Sequence, residues 1–397
     1  MMILVSNIGS TSFKFRLFAV GDGGERELAA GGVDRIGGQG GAFSFAPAGG
    51  SKSTRACPCP NHGAAITACL DVLVEAGVLD SPQSLGAIAF KAVMAGDCDP
   101  IMRVDDKLLA AMEYFVPVAP AHNPAYIAAM RSFRQALPGV PLVAAFEPGF
   151  HRTIPARRRT YALPDGWEEK FGIRRYGYHG ASHRYISQRV VELMGQPARR
   201  IISCHLGGSS SICAVRDGAS VANSFGFSPQ SGLPQTQRVG EFDCFGLAIV
   251  QRETGMGLEK MLDALGNKAG LAALSGTSGD MRDIRAAAAK GSARAQLALD
   301  AFVTAVRDYI GAYLVELGGA DAIAFTGGIG ENNPSLRDDI CRGLEFAGVA
   351  LDETKNASAA GECRIDREGS KTALWVMPTN EELVVARQAV ELLKRKS

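Results

Sequence analysis

Two short turns rich in small hydroxyl residues are the first places in this chain where chemistry could be done. In one, Asn7, Ser10, Thr11, Ser12 and Lys14 follow an apolar run that starts at Ile3; in the other, Gly207, Gly208, Ser209, Ser210 and Ser211 follow a run that starts at Ile201. Backbone N–H groups converge at such turns and the hydroxyls add donors, so each turn can cradle a phosphate. A lone turn of this kind is more often just a hairpin. Here, however, Ile3 to Phe18 and Ile201 to Val215 resemble each other as whole units of strand, Gly/Ser/Thr turn and strand, about 200 residues apart. Two such turns facing a cleft between duplicated domains would hold a polyphosphate from both sides, which favours nucleotide binding.

A third cluster, Gly327 to Asn332, lies between the apolar run Ala322 to Thr326 and a helix-like stretch from Ser335 to Leu344. Glycines there let backbone approach a ligand closely at a helix entrance. The pattern is neither a P-loop nor a dinucleotide fingerprint, and a tight strand-to-helix turn would need fewer glycines.

The elements that must position these turns alternate along the chain. Helical periodicity covers Asn61 to Ala76, Asp106 to Glu113, Asn123 to Gln135, His183 to Met194, Phe245 to Glu253, a long Ala-rich stretch from Met281 to Leu317, and Asn380 to Lys394. Strands are expected at Leu85 to Ala92, Pro141 to Phe146, Ala322 to Thr326 and Ala373 to Val376. The fold class is therefore α/β, built as two halves. Gly37 to Ser53 reads as an exposed hairpin or loop.

Composition narrows the function classes. With 42 Lys and Arg against 41 Asp and Glu, no global field draws nucleic acid or an anionic membrane. Apolar runs break well before the ~20 residues of a membrane span, and no signal-peptide layout opens the chain, so the cytoplasm is the expected location. The nine cysteines are scattered; the closest pair, Cys57 and Cys59, lacks zinc-site spacing, and they read as reduced thiols.

Eight ordered blocks carry a specific resemblance: SNIGSTSFKF, APAHNP, RRYGYHGASHRY, CHLGGSSS, FGFSPQSGLPQTQRVGEFD, SGTSGDMRDI, FTGGIGEN and PTNEELVVARQ. Together the chain resembles acetate kinase and its short-chain acyl kinase relatives from Val5 to Arg387. The resemblance implies the duplicated actin-like and sugar-kinase-like fold, with residues 1–148 and 149–377 as its domains and a C-terminal helix, about 378–397, returning to the first. It implies ATP or ADP in the interdomain cleft, Mg²⁺, a small carboxylate or acyl phosphate as partner, and a homodimer.

Site roles follow from the same resemblance. His179, Arg238, Lys91 and His122 take catalytic positions, with Arg238 bridging carboxylate and phosphoryl through its planar fork. The acyl group meets Lys91, Val93, Ala121, Tyr178, Pro229 and Arg238. The nucleotide meets Asn7, Ser12, Lys14, His205, Gly207, Gly208, Ser209, Asp280, Met281, Arg282, Gly328, Ile329, Gly330, Glu331 and Asn332. Glu381 and Glu147, helped by Asn7, are the metal candidates, since Mg²⁺ takes a few carboxylates plus water and phosphate oxygens. Glu382 reads as a helix-start carboxylate, and His183 as part of the helix start after Gly180-Ala181-Ser182.

Several departures bear on the substrate. Lys91 stands where the family carries an arginine, Ala121 where it carries a leucine, and Tyr178 where it carries a phenylalanine; Gly208-Ser209 and Thr236 alter the neighbourhood of Arg238. Glu147 replaces the family's metal-side aspartate. Room from Ala121 and a hydroxyl from Tyr178 point to an acid larger or more polar than acetate. Two other readings compete: a nucleotide-binding sensor that has lost catalysis, and a sugar kinase, whose aspartate base is not evident.

Overall fold

The computed structural model describes every residue except Ser10, Asp22, Gln39, Gln196, Pro197, Lys396 and Ser397. Ser10, one hydroxyl residue of the first turn, thus lies outside the described residues.

Strands β1 (Met2–Ile8), β2 (Ser12–Gly21), β3 (Gly24–Asp34), β4 (Ala42–Pro47), β5 (Ser53–Ala56), β6 (Ala87–Ala92), β7 (Ile101–Arg103) and β8 (Leu142–Phe146) form one sheet, in the order β5-β4-β3-β2-β1-β6-β8-β7. A second sheet contains β9 (Arg200–His205), β10 (Ser211–Arg216), β11 (Ala219–Asn223), β12 (Ala322–Thr326), β13 (Cys363–Arg364) and β14 (Ala373–Val376), in the order β11-β10-β9-β12-β14-β13. Their centres match strand for strand. In each, an antiparallel meander (β3-β2-β1 or β11-β10-β9) is followed by two parallel neighbours (β6-β8 or β12-β14). This is the duplication that the two turns predict. The apolar runs in β1, β6, β9 and β12 are buried almost throughout, as central strands covered on both faces must be.

Met1–Gly149 and the C-terminal segment from Asn380 make one compact unit, and Phe150–Thr379 the other. In the first, helices α1 (His62–Glu75), α2 (Asp106–Tyr114) and α3 (Asn123–Ala136) accompany the sheet. Asn61 and Asp105 cap the first two, accepting from the N–H groups of Ala64 and Leu108 at 2.9 and 2.8 Å. In the second lie α4 (Gly180–Met194), α5 (Gly246–Thr254), α6 (Leu258–Asn267), α7 (Met281–Ala289), α8 (Ala293–Leu317), α9 (Gly327–Asn332), α10 (Pro334–Cys341) and α11 (Glu353–Ala357). The last helix, α12 (Glu381–Lys394), packs on β1, β6 and β8 through Val384, Val385 and Ala389.

Two sequence expectations change. The stretch Met281 to Leu317 is two helices rather than one, because Gly291 takes φ +87° and Ser292 caps α8 by accepting from Ala295 N–H at 3.3 Å. The segment from Gly37 to Ser53 is a hairpin on the sheet edge, but Phe43 and Phe45 of β4 are buried, so its inner face belongs to the core. Among the described residues no helix is long and apolar enough to cross a membrane.

Candidate active site

In the first unit, carboxylates converge on one lysine. Lys91 sits in β6 opposite Ala145 of β8, so Glu147, just past β8, emerges nearby; Glu381 comes from the first turn of α12. Lys91 Nζ donates to Glu381 and lies 3.8 Å from Glu147 Oε1. Burial pulls the lysine pKa down, but the charges of Glu381 and Glu147 overcome it and hold the ammonium well above its usual range. Glu382 turns elsewhere, to within 4.0 Å of Arg16.

Tyr126 joins Asn7 to this cluster. Its hydroxyl donates to Asn7 Oδ1 at 3.3 Å and accepts the Ile8 N–H at 3.2 Å, and burial pushes its pKa up to about 12. The β1–β2 turn closes on Gly9, whose N–H donates to the Ser12 carbonyl at 2.9 Å; a Cβ on Gly9 would stand 2.5 Å from Ser12 Oγ. Lys14 is exposed on β2, opposite Asn7. Val93 is buried, and Ala121 is exposed beside His122, the residue before α3. Asn123 secures that turn, donating to the carbonyls of Met94 and Met112 at 2.8 Å.

In the second unit the hydroxyl turn and the glycine loop meet at one carbonyl. Leu206 accepts from the N–H groups of Ile329 and Gly330 at 2.9 and 3.0 Å. Gly327, at φ +77°, could carry no side chain, since a Cβ would lie 2.6 Å from that same oxygen. Ser210 Oγ accepts from Gly207 N–H at 3.1 Å, drawing the turn tight. Gly328, Ile329, Gly330, Glu331 and Asn332 form the single short helix α9, and burial raises the Glu331 pKa. Asp280 and Arg282 pair at 2.7 Å at the exposed start of α7, while Met281 between them is buried in the core.

Arg337 gave no sequence signal, yet it fastens this loop. Fully buried in α10, it donates to the carbonyls of Gly330 and Glu331 at 2.8 Å and to the side-chain and backbone oxygens of Asn356 at 2.7 and 3.0 Å. Arg337→Met strips charged donors from two loop carbonyls and should cost about 3 kcal/mol, read by urea unfolding.

His179 precedes α4 in the left-handed region, at φ +58°, an uncommon conformation for a residue with a side chain. Its Nδ1 lies 2.8 Å from Ser211 Oγ, and its ring centroid is 4.2 Å from that of His205. His205 Nδ1 in turn meets Ser182 Oγ at 2.8 Å. Arg238 Nη1 donates to Ser209 Oγ, Pro229 O and Gln235 Oε1 at 3.2, 3.3 and 3.3 Å. Burial lowers its pKa.

Two of the departures near Arg238, Gly208 and Thr236, lie against each other. Thr236 N–H donates to Gly208 O at 3.1 Å, and a Cβ on Gly208 would sit 3.5 Å from Thr236 Oγ1. The Ser209 hydroxyl reaches Arg238 itself. Tyr178 changes the substrate argument: its hydroxyl is already spent, donating to the Phe227 carbonyl at 2.6 Å, and its ring packs edge-on against Phe225. The hydroxyl therefore asks nothing of a substrate.

Behind the site, His151 is buried between Ser220 Oγ and Tyr178 O, at 2.8 and 2.9 Å, and burial pushes its pKa down to about 4. Its folded pKa lies below the ordinary value, so as pH falls below about 6.5 the unfolded chain takes up a proton that the folded one refuses. Stability should drop by about 2 kcal/mol between pH 7 and pH 5 from this group alone. Urea melts at the two pH values check this, and His151→Gln should flatten the slope.

The acetokinase family model matches residues 2–387. The chain belongs to that family. It is similar to the acetate kinase of Anoxybacillus flavithermus, with 40% identity over 394 residues and 98% of each chain covered, and to that of Bacillus subtilis, with 38% identity over 396 residues and 99% of each covered. Among solved structures it is similar to Porphyromonas gingivalis acetate kinase, with a TM-score of 0.88, 33% identity and 99% of each chain covered. A propionate kinase from Francisella tularensis gives a TM-score of 0.89, 32% identity and 98% of each covered. As a member of the acetokinase family, the chain has the duplicated actin-like fold and is an ATP-dependent phosphotransferase with a carboxylate as acceptor.

Proposed function

We propose that this chain phosphorylates a short-chain acid larger than acetate, with Arg238 and His179 stabilising the moving phosphoryl group. The observation that carries this reading is the setting of Arg238, a half-buried guanidinium whose contacts to neutral oxygens are long enough to exchange for an anion's. A carboxylate oxygen attacks phosphorus, the bond to the ADP oxygen breaks, and the acceptor needs no base because it is already ionised. Positioning and fixed positive charge do the rest.

Asn7, Ser12 and Lys14 of the first turn, Gly207, Gly208 and Ser209 of the second, His205 and α9 border the nucleotide phosphates. Asp280 and Arg282 border the adenosine. Glu147 and Glu381, with Asn7, suit Mg²⁺: both carboxylates already converge on one cation, and hard oxygen donors are what this ion takes. A bound ion neutralises phosphate oxygens. Among the described residues no group of three or more His, Cys, Asp or Glu is placed to hold a metal.

Ala121 in place of a leucine supports the larger acid, with Lys91, Val93, His122, Tyr178 and Pro229 as the other pocket positions. The sensor reading has no support among the relatives. Rates with ATP and Mg²⁺ over acetate, propionate, butyrate, glycolate and lactate, with hydroxylamine trapping of acyl phosphate, test the proposal. Propionate or butyrate should give the highest kcat/KM; acetate ahead by a wide margin would sink the larger-acid reading, and no trapped product would sink the transfer itself.

The enzyme works in the cytoplasm and pairs with a second copy of itself. Exposed apolar side chains along α5 and α6, namely Phe245, Ile249, Val250, Leu258 and Leu262, support the pairing, since monomers rarely leave such a run bare. Phe245→Asp should shift the protein toward monomer in sedimentation velocity.

A further inference from the structure

His183 lies in the first turn of α4, four residues beyond His179, and both rings face the same two strands. It is fully buried, as are Ser203 of β9 and Ser211 of β10. His183 Nδ1 is 2.9 Å from Ser203 Oγ and its Nε2 is 2.8 Å from Ser211 Oγ; Ser211 Oγ is also 2.8 Å from His179 Nδ1. Four side chains thus form one continuous chain, Ser203, His183, Ser211 and His179. The sequence reads His183 as part of the helix start, and so it is; the packing adds that its ring is held between two buried serines.

The chain can run in either of two directions. Burial, followed by the charges of His151 and His205, holds the His183 pKa well below its ordinary value, so the ring is neutral with one donor and one acceptor. If His183 donated from Nδ1 to Ser203, the Ser203 hydroxyl proton would be buried with no acceptor among the described residues. In the opposite direction each proton between the four side chains is accepted: Ser203 O–H to His183 Nδ1, His183 Nε2–H to Ser211 Oγ, and Ser211 O–H to His179 Nδ1. Buried polar groups are satisfied as a rule, which selects this second direction.

We propose that His183 is a positioning residue for His179, holding its proton on Nε2 through Ser211 so that the ring always presents a donor to the transferring phosphoryl group. This rests on the reading of His179 as a transition-state donor. A donor fixed in advance needs no reorganisation when charge builds on the phosphoryl oxygens. The left-handed backbone of His179 fits the same picture, because strain of that kind persists where the surroundings over-determine a side chain.

Two-bond ¹H–¹⁵N spectra of the ¹⁵N-histidine-labelled full chain, without substrate, report the tautomer of each ring, and His179→Gln assigns its signals. The expected result is His179 protonated on Nε2. Ser211→Ala should mix the tautomers and lower kcat roughly 10²-fold, the scale of one preorganised donor, with KM for both substrates unchanged, and Ser211→Thr should restore most of the rate. His183→Gln breaks the chain at a second point. A wild-type His179 protonated on Nδ1, or Ser211→Ala with unaltered tautomer or kcat, overturns the proposal. The tautomer is read without turnover, so an inactive wild type would count against the kinase reading and leave the chain's direction decided on its own.

Discussion

Arg238→Ala should lower kcat by about 10³-fold while shifting the urea midpoint little. An arginine that meets transition-state charge in phosphoryl transfer is worth 10³ or more, because its planar fork places two donors against oxygens that gain charge only as the bond to the leaving group loosens. In the resting protein the same guanidinium makes contacts of 3.2 to 3.3 Å to neutral acceptors, and losing those contacts should cost the fold about 1 kcal/mol. Arg238→Lys keeps the charge but not the fork and should recover a minor part of the rate. The measurement is a pair of saturation curves beside a denaturation curve for each variant. A rate within tenfold of wild type would remove Arg238 from the chemistry, and a large loss of stability would make its role structural.

Lys91→Met should have the largest effect on stability, about 3–5 kcal/mol in metal-free buffer, because it leaves Glu147 and Glu381 buried together without their cation. The same substitution gives the metal reading a test independent of turnover. If the two carboxylates hold Mg²⁺, the ion takes the place of the missing ammonium, and the thermal midpoint of Lys91→Met should rise with added Mg²⁺ more steeply than that of wild type. Equal responses would mean that the ion binds elsewhere. Lys91→Arg keeps a charge between the carboxylates and should stay near wild-type stability; whether it also raises the rate with acetate separates a pocket tuned by this lysine from one that is indifferent to it.

Much of the site could be read along the chain. The two hydroxyl turns and the Gly327–Asn332 loop stood out because tight turns have few chemical solutions, and Gly327 and Gly9 turn out to be places where a side chain would collide with backbone or with Ser12. Contacts could not be read that way: Gly208 and Thr236 look like separate oddities until the backbone brings them together. Tyr178 was misleading for a related reason, since a hydroxyl in a substrate segment suggests a polar ligand until Phe227 is seen to accept its proton.

The sequence by itself determined the α/β class, the duplicated hairpins, the family and the two hydroxyl turns. All of these depend on local periodicity, on backbone sterics at glycine, or on ordered blocks of residues. Tertiary structure alone decided that Glu381, 290 residues from Lys91, accepts a hydrogen bond from it, that Arg337 fastens the glycine loop, and that His183 and His179 meet at Ser211. Each of these is a burial effect: the residue types are ordinary, and their meaning comes from sheet register and helix packing that remove water and leave one set of partners for each charge and each proton.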